Sequence, residues 1–218
     1  MIDFRRRKSE KTKLTFVNNL KKENDQNSDE GGGDYWISCT SALNNIFRTN
    51  DINLIQEKNL YLKDKIEKTL DNKTKKRFQK NIDILNNFRE FDFNHIKPNT
   101  TLTFHKKPDF QALYDIHNIR IDIRPCIIFS YENKDFHEIG AVWFICKIGG
   151  LKKEELGMFC DVMYRYLRTY HSSDYKINPD YCVAIDAFNC ADINYSQIIN
   201  GEVPKLIDNT IVELKTFL

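Results

Sequence analysis

The sequence predicts an α+β fold in which a helical amino-terminal region precedes a mixed β-sheet with helices packed on it. Three observations carry that prediction. Apolar residues recur at spacings of three and four between residues 34 and 91. From Thr101 the pattern changes to alternation or to unbroken apolar runs. One long amphipathic stretch, residues 152–170, then separates two strand-like segments.

Residues 1–33 read as a basic and polar arm, expected to be flexible. Arg5-Arg6-Arg7-Lys8, Lys11 and Lys13 precede a polar run from Lys21 to Glu30 and the triplet Gly31-Gly32-Gly33. Leu14, Phe16, Val17 and Leu20 suffice for one short element but not for a core. Residues 34–98 read as a helical region. Asp34 has the side chain of an N-cap, and Ala42, Leu43, Ile46 and Phe47 follow at helical spacing. A second helix is expected from Asp51 to about Leu70 on Ile52, Ile55, Leu62 and Ile66, and a third from about Lys73 to Phe91 on Phe78, Ile82, Leu85 and Phe88.

Residues 99–218 read as the sheet-bearing region. Short strands are expected at 101–104 and 110–116, then, after a turn at His117-Asn118, from Ile119 to Tyr131. The segment from Glu138 to Lys147 is almost continuously apolar, which predicts a central strand buried on both faces with Trp143 in the core. Gly149-Gly150 ends it. The helix at 152–170 presents Leu156, Phe159, Met163, Tyr166 and Leu167 on one stripe. A strand at 181–188 after Pro179, a short strand near 193–195 and a last helix over about 204–217 complete the chain. The order is αβββαβ, with residues 101–196 expected to form one mixed sheet.

Composition narrows the function classes. The 218 residues hold 33 Lys and Arg against 31 Asp and Glu, a net charge of +2 that neither requires nor excludes nucleic acid. No apolar run approaches the roughly 20 residues of a membrane helix, so no membrane partner and a cytoplasmic location are expected. Six cysteines occur without a C-x-x-C pair, and they are expected to be buried free thiols. The five histidines are scattered, so no Cys/His metal site is expected.

The αβββαβ order resembles the core of the PD-(D/E)xK nuclease superfamily. The resemblance implies a restriction-endonuclease-like fold and a Mg²⁺-dependent phosphodiesterase, with an acid on the second core strand and acid-x-Lys on the third. Carboxylates would gather the metal, which activates a water and bridges the scissile phosphate. One register supplies Pro108-Asp109 and then Asp122-Ile123-Arg124, with Arg in place of Lys; Arg binds phosphate but does not give up a proton. In a second register the chain is similar to bacterial proteins found near anti-phage defence genes. The matching stretches are Asp34-Tyr35-Trp36, Arg124-Pro125-Cys126, Ala141-Val142-Trp143-Phe144 and Ala184-Ile185-Asp186-Ala187-Phe188. There Cys126 stands in place of an acid and Trp143 in place of Lys. Thiol is a poor ligand for the hard Mg²⁺ ion and indole carries no charge.

A separate signal is a cationic cluster. Residues 48–90 carry 11 Lys and Arg against 7 Asp and Glu, with Lys73, Lys75, Lys76, Arg77 and Lys80 gathered at one helix start, where they suit a phosphate backbone. Two function classes follow. The first is an accessory subunit of a prokaryotic defence-type system, in which a nuclease-like scaffold without a complete active site binds nucleic acid, a partner protein, or both, with no cofactor. The second is an active Mg²⁺-dependent nuclease using Asp109, Asp122, Arg124 and Asp186, with a helix acid such as Glu67 or Glu90.

Overall fold

The computed structural model describes residues 1–22, 35–106, 113–134 and 136–218. Asp34, the glycine triplet and Asp109 lie outside these residues.

Helix α1 spans Ile2–Arg5 and α2 spans Glu10–Lys21. The amino-terminal segment expected to be a flexible arm is, through residue 22, helical and packed. Phe4 is fully buried between Phe16 and Phe217, with ring centroids 6.3 and 5.7 Å away. Arg6 also pairs with Glu155 at 2.6 Å, and Lys147 with Asp3 at 2.6 Å. The partners of this segment lie some 150 to 200 residues downstream, so its local composition carries no trace of them.

Helix α3 is Ile37–Thr49, α4 is Asn53–Lys68 and α5 is Asn72–Asn87, followed by a 3-10 turn at Phe88–Glu90. Cys39, Leu43, Ile46 and Phe47 form the buried stripe of α3. That helix stops where Asn50 adopts a left-handed conformation, φ 58°, and returns its N–H to Ile46 O. Helices α4 and α5 form a hairpin across residues 69–71. Asp71 caps α5 by accepting from the N–H groups of Lys73 and Thr74 at 3.2 and 2.9 Å.

Strands β1 (Thr103–Phe104), β4 (Ile127–Asn133), β5 (Phe136–Ile145), β6 (Lys176–Asp186) and β7 (Ala191–Asn194) form a five-stranded mixed sheet in the order β1-β4-β5-β6-β7. Only the β5–β6 pairing is parallel, with Val142 opposite Val183, and helix α6 (Lys153–His171) makes the crossover it requires. Short helices α7 (Tyr195–Ile199) and α8 (Ile207–Lys215) follow. Alternation along β5 divides the core. Val142 and Phe144 join Phe47, Leu85 and Phe88 beneath α3–α5, whereas Ala141 and Ile139 join Leu156, Met163 and Leu167 beneath α6.

Two expectations are corrected here. Residues 101–196 do not form one sheet, because among the described residues β2 (Leu113–Ile116) and β3 (Ile119–Asp122) pair only with each other. His117 and Asn118 turn that hairpin at positive φ, 51° and 62°, and Pro125, which has no N–H to give a ladder, lies in the break between β3 and β4. Trp143 does lie in the central strand but is half-buried, its ring edge-on to Phe159 at 5.3 Å. It faces a pocket instead of a closed core.

Pro179 also lies within a strand and not before one. Pairing steps from Ile139 opposite Ile177 to Ala141 opposite Cys182, so β6 bulges outward there. Gly140 makes the bulge possible: a Cβ at that position would stand 2.5 Å from Tyr181 O and 3.0 Å from the Phe129 ring.

Candidate functional site

The acids expected in a catalytic role are held apart and held differently. Asp186 ends β6 fully buried. Its Oδ2 accepts from Leu151 N–H at 2.8 Å and from Asn189 Nδ2 at 2.7 Å, and its Oδ1 from Phe188 N–H at 3.0 Å. This carboxylate ties the turn before α6 to the turn after β6. Gly150 belongs to the same device, with φ 71° and no room for a Cβ, which would lie 2.0 Å from Asn189 Nδ2. Beside it, Arg6 donates to Gly150 O at 2.8 Å and to both Glu155 oxygens. The guanidinium holds the Glu155 carboxyl below its ordinary value.

Asp122 is exposed at the end of β3 and paired with Arg124 at 2.7 Å. It shares the wall of a pocket of about 300 Å³ with Trp143, Phe159 and Lys147. Most of its lining is apolar, and Asp3, Lys147 and Asp122, each held in an ion pair, stand among the apolar groups. Asp186 does not line this pocket. Glu67 and Glu90 are exposed on the α3–α5 layer, across the sheet from the β2–β3 hairpin.

The donor set decides what metal chemistry these positions suit. Mg²⁺ takes about six oxygen ligands in near-octahedral geometry. The oxygens of Asp186 are committed to three N–H donors and Asp122 to a guanidinium, so among the described residues this set does not fit Mg²⁺. No group of three His, Cys, Asp or Glu among the described residues is placed to hold a metal ion.

All six cysteines are free. Cys160 Sγ donates to Cys182 O at 3.0 Å inside the core, and burial pushes both thiols well up. Cys39 and Cys146 bring their sulfurs to 4.0 Å where α3 meets β5.

The cationic cluster has a different character. Lys73, Lys75, Lys76, Arg77 and Lys80 occupy the first turns of α5; Lys73 and Lys76 are exposed, the other three half-buried. None of the five forms an ion pair among the described residues. The Arg77 guanidinium lies over the Phe78 ring at 5.3 Å and the Lys80 ammonium over the Tyr35 ring at 6.0 Å, so both charged heads rest against aromatic faces. Asp71 offsets the unfavourable meeting of cations with the helix dipole. Hydrogen bonds from the Thr74 hydroxyl and from the N–H groups of Thr74 and Lys73 keep its carboxyl below the ordinary value.

Lys58 and Lys65 flank Tyr61 on α4, and Leu70 at the hairpin tip is 96% exposed. Cations on α4 and α5 thus stand among aromatic and aliphatic surface around the hairpin.

Sequence reasoning singled out the α5 cluster by charge density alone. It missed Lys97, only 8% exposed, whose Nζ donates to Phe47 O and Asn50 Oδ1 at 2.5 Å and closes the end of α3. It missed His105 as well, bonded through Nε2 to Ser130 Oγ at 2.8 Å. Each depends on a partner 25 or more residues away, and spacing along the chain does not reveal it. No known family, curated protein or solved structure matches the chain.

Proposed function

We propose that this chain is a non-catalytic nucleic-acid-binding subunit, in which the mixed sheet is a nuclease-like scaffold and the α4–α5 hairpin makes the contact. One observation carries the reading: five cations within residues 73–80, none paired with a carboxylate among the described residues, beside the turn of a helical hairpin. Unpaired cations on one surface repel each other, and a polyanion relieves that repulsion while releasing its condensed counterions. The β4–β5 hairpin, the α6 crossover and β6 support the scaffold reading, because they reproduce the ββαβ part of the order on which the nuclease resemblance rests. On the same resemblance we propose a prokaryotic anti-phage assembly with a partner protein as its setting.

The competing reading is a Mg²⁺-dependent nuclease. Asp122 and Lys147 lining one pocket favour it, and it requires Asp122 to leave Arg124. A single experiment separates the two. Purified protein is incubated with labelled single- and double-stranded DNA and RNA at low salt, with and without Mg²⁺ or Mn²⁺. The proposal expects retarded, uncut nucleic acid under both conditions. Divalent-dependent cleavage that Asp122→Ala or Asp109→Ala abolishes would establish the nuclease instead.

A further inference from the structure

The α4–α5 hairpin carries a second feature, near its base and away from the cationic tip. A groove of about 500 Å³ lies along the two helices, walled by Ile52, Leu60 and Ile82. Asn59 forms part of its floor, 5% exposed, and donates Nδ2 to Asn86 Oδ1 at 2.9 Å. That bond leaves Asn59 Oδ1 buried with no hydrogen-bond partner among the described residues. A buried acceptor left without a donor destabilises a fold, whereas an apolar side chain of the same size would not. The position thus lowers the stability of the free protein, and a donor supplied from outside would remove that cost.

We infer that this groove binds a nucleobase carrying a 5′-phosphate, as a free nucleotide or as one unit of a single strand. The walls are aliphatic and suit a flat ring. On binding, rotation about χ2, a soft torsion in Asn, would turn Asn59 Oδ1 toward the groove, giving up the bond to Asn86 Oδ1 and freeing the Asn86 amide to face the base. There it accepts from an exocyclic amine, while the exposed Asn86 offers its Nδ2 to the neighbouring ring nitrogen. This paired acceptor and donor complement the edges of adenine and cytosine. Lys63 and Arg89 line the same groove, neither ion-paired among the described residues, and supply the phosphate contact. Helical spacing continues the groove outward, since Lys75, Gln79, Ile82 and Asn86 share one stripe of α5.

The inference rests on the amide pair and not on the tip cations, and the test keeps the two apart. Calorimetric titrations at low salt would use AMP, CMP, ribose 5-phosphate and inorganic phosphate. AMP and CMP are expected to bind at least tenfold more tightly than ribose 5-phosphate. Asn59→Leu should erase that advantage while the melting temperature of the free protein stays level or rises. Lys63→Ala with Arg89→Ala should weaken AMP and ribose 5-phosphate alike. Replacing Lys73, Lys76 and Lys80, which lie off that stripe, by Ala should leave AMP binding intact even if it ends oligonucleotide binding.

A 5′-phosphorylated trinucleotide binding more than tenfold tighter than AMP assigns the groove to a strand, and equal affinity assigns it to a free nucleotide. The inference is overturned if AMP and CMP bind no better than ribose 5-phosphate, or if Asn59→Leu leaves their advantage in place. It is also overturned if that substitution lowers the melting temperature by several degrees or prevents folding, which would mark Asn59 as a scaffold amide.

Discussion

Replacing Asp186 distinguishes a structural carboxylate from a catalytic one. In Asp186→Ala, the N–H groups of Leu151 and Phe188 lose their acceptor, as does the Asn189 side chain. Asn189 is exposed and turns to water, so the cost falls on the two backbone donors. A buried donor left unpaired costs about 1–3 kcal/mol, which puts the variant roughly 4 kcal/mol below the wild type. For a chain of this length that is a fall in melting temperature of about 10 °C.

Asp186→Asn is milder, because an amide oxygen placed at the Oδ2 position keeps Leu151 and only the Phe188 N–H faces an NH₂ group. It should lose about 1–3 kcal/mol. Thermal melts followed by circular dichroism, run with and without Mg²⁺, give both values. Equal melting of the wild type and Asp186→Ala, or a Mg²⁺-dependent rise in melting temperature that Asp186→Ala removes, would refute the reasoning.

Three further outcomes are expected. Gly140→Ala forces a methyl group against Tyr181 O at the β6 bulge and should cost about 2–3 kcal/mol, seen as a lower urea midpoint; an unchanged midpoint would mean that the bulge relaxes freely. Burial holds the His105 and His171 imidazoles below their ordinary value, so the unfolded chain takes up protons first as pH falls. Stability should decline from pH 6.5 downward, and His105→Gln with His171→Gln should flatten that decline. Glu155 is held low by Arg6, so its contribution is complete above about pH 4.5, the ordinary carboxyl value, and disappears as pH drops through the depressed native value. In Arg6→Gln, the urea midpoint should lose less between pH 5 and pH 3 than in the wild type.

Local pattern revealed those parts of the fold that local pattern controls. Helix α6 was legible from its stripe and Gly149-Gly150, and the central place of β5 from its unbroken apolar run, since burial on both faces leaves little room for polar residues. The separate β2–β3 hairpin was not legible, because Ile119, Ile121 and Ile123 alternate as any half-buried strand does and alternation does not name a partner. Trp143 misled because indole suits a pocket wall as well as a core. The packing of α1 and α2 was hidden for the same reason as the role of Asn59: each is settled by residues distant in sequence. The cationic start of α5 was fully legible, since charge density needs no tertiary partner to be seen.

The central claim, that the tip of the α4–α5 hairpin binds a phosphate backbone, is tested most directly by the salt dependence of oligonucleotide affinity. Fluorescence anisotropy with a labelled single strand would be recorded from about 25 to 200 mM salt for the wild type and for a variant with Lys75, Lys76 and Arg77 replaced by Ala. Each phosphate contact to a single strand contributes about 0.7 to the slope of log affinity against log salt. Losing three contacts should therefore flatten the slope by about 2 and weaken binding alike for unrelated sequences, with the melting temperature unchanged because none of the three is among the buried residues of α5, Asn81, Ile82, Ile84 and Leu85. Identical slopes for variant and wild type, or no wild-type binding at the lowest salt, would contradict the account.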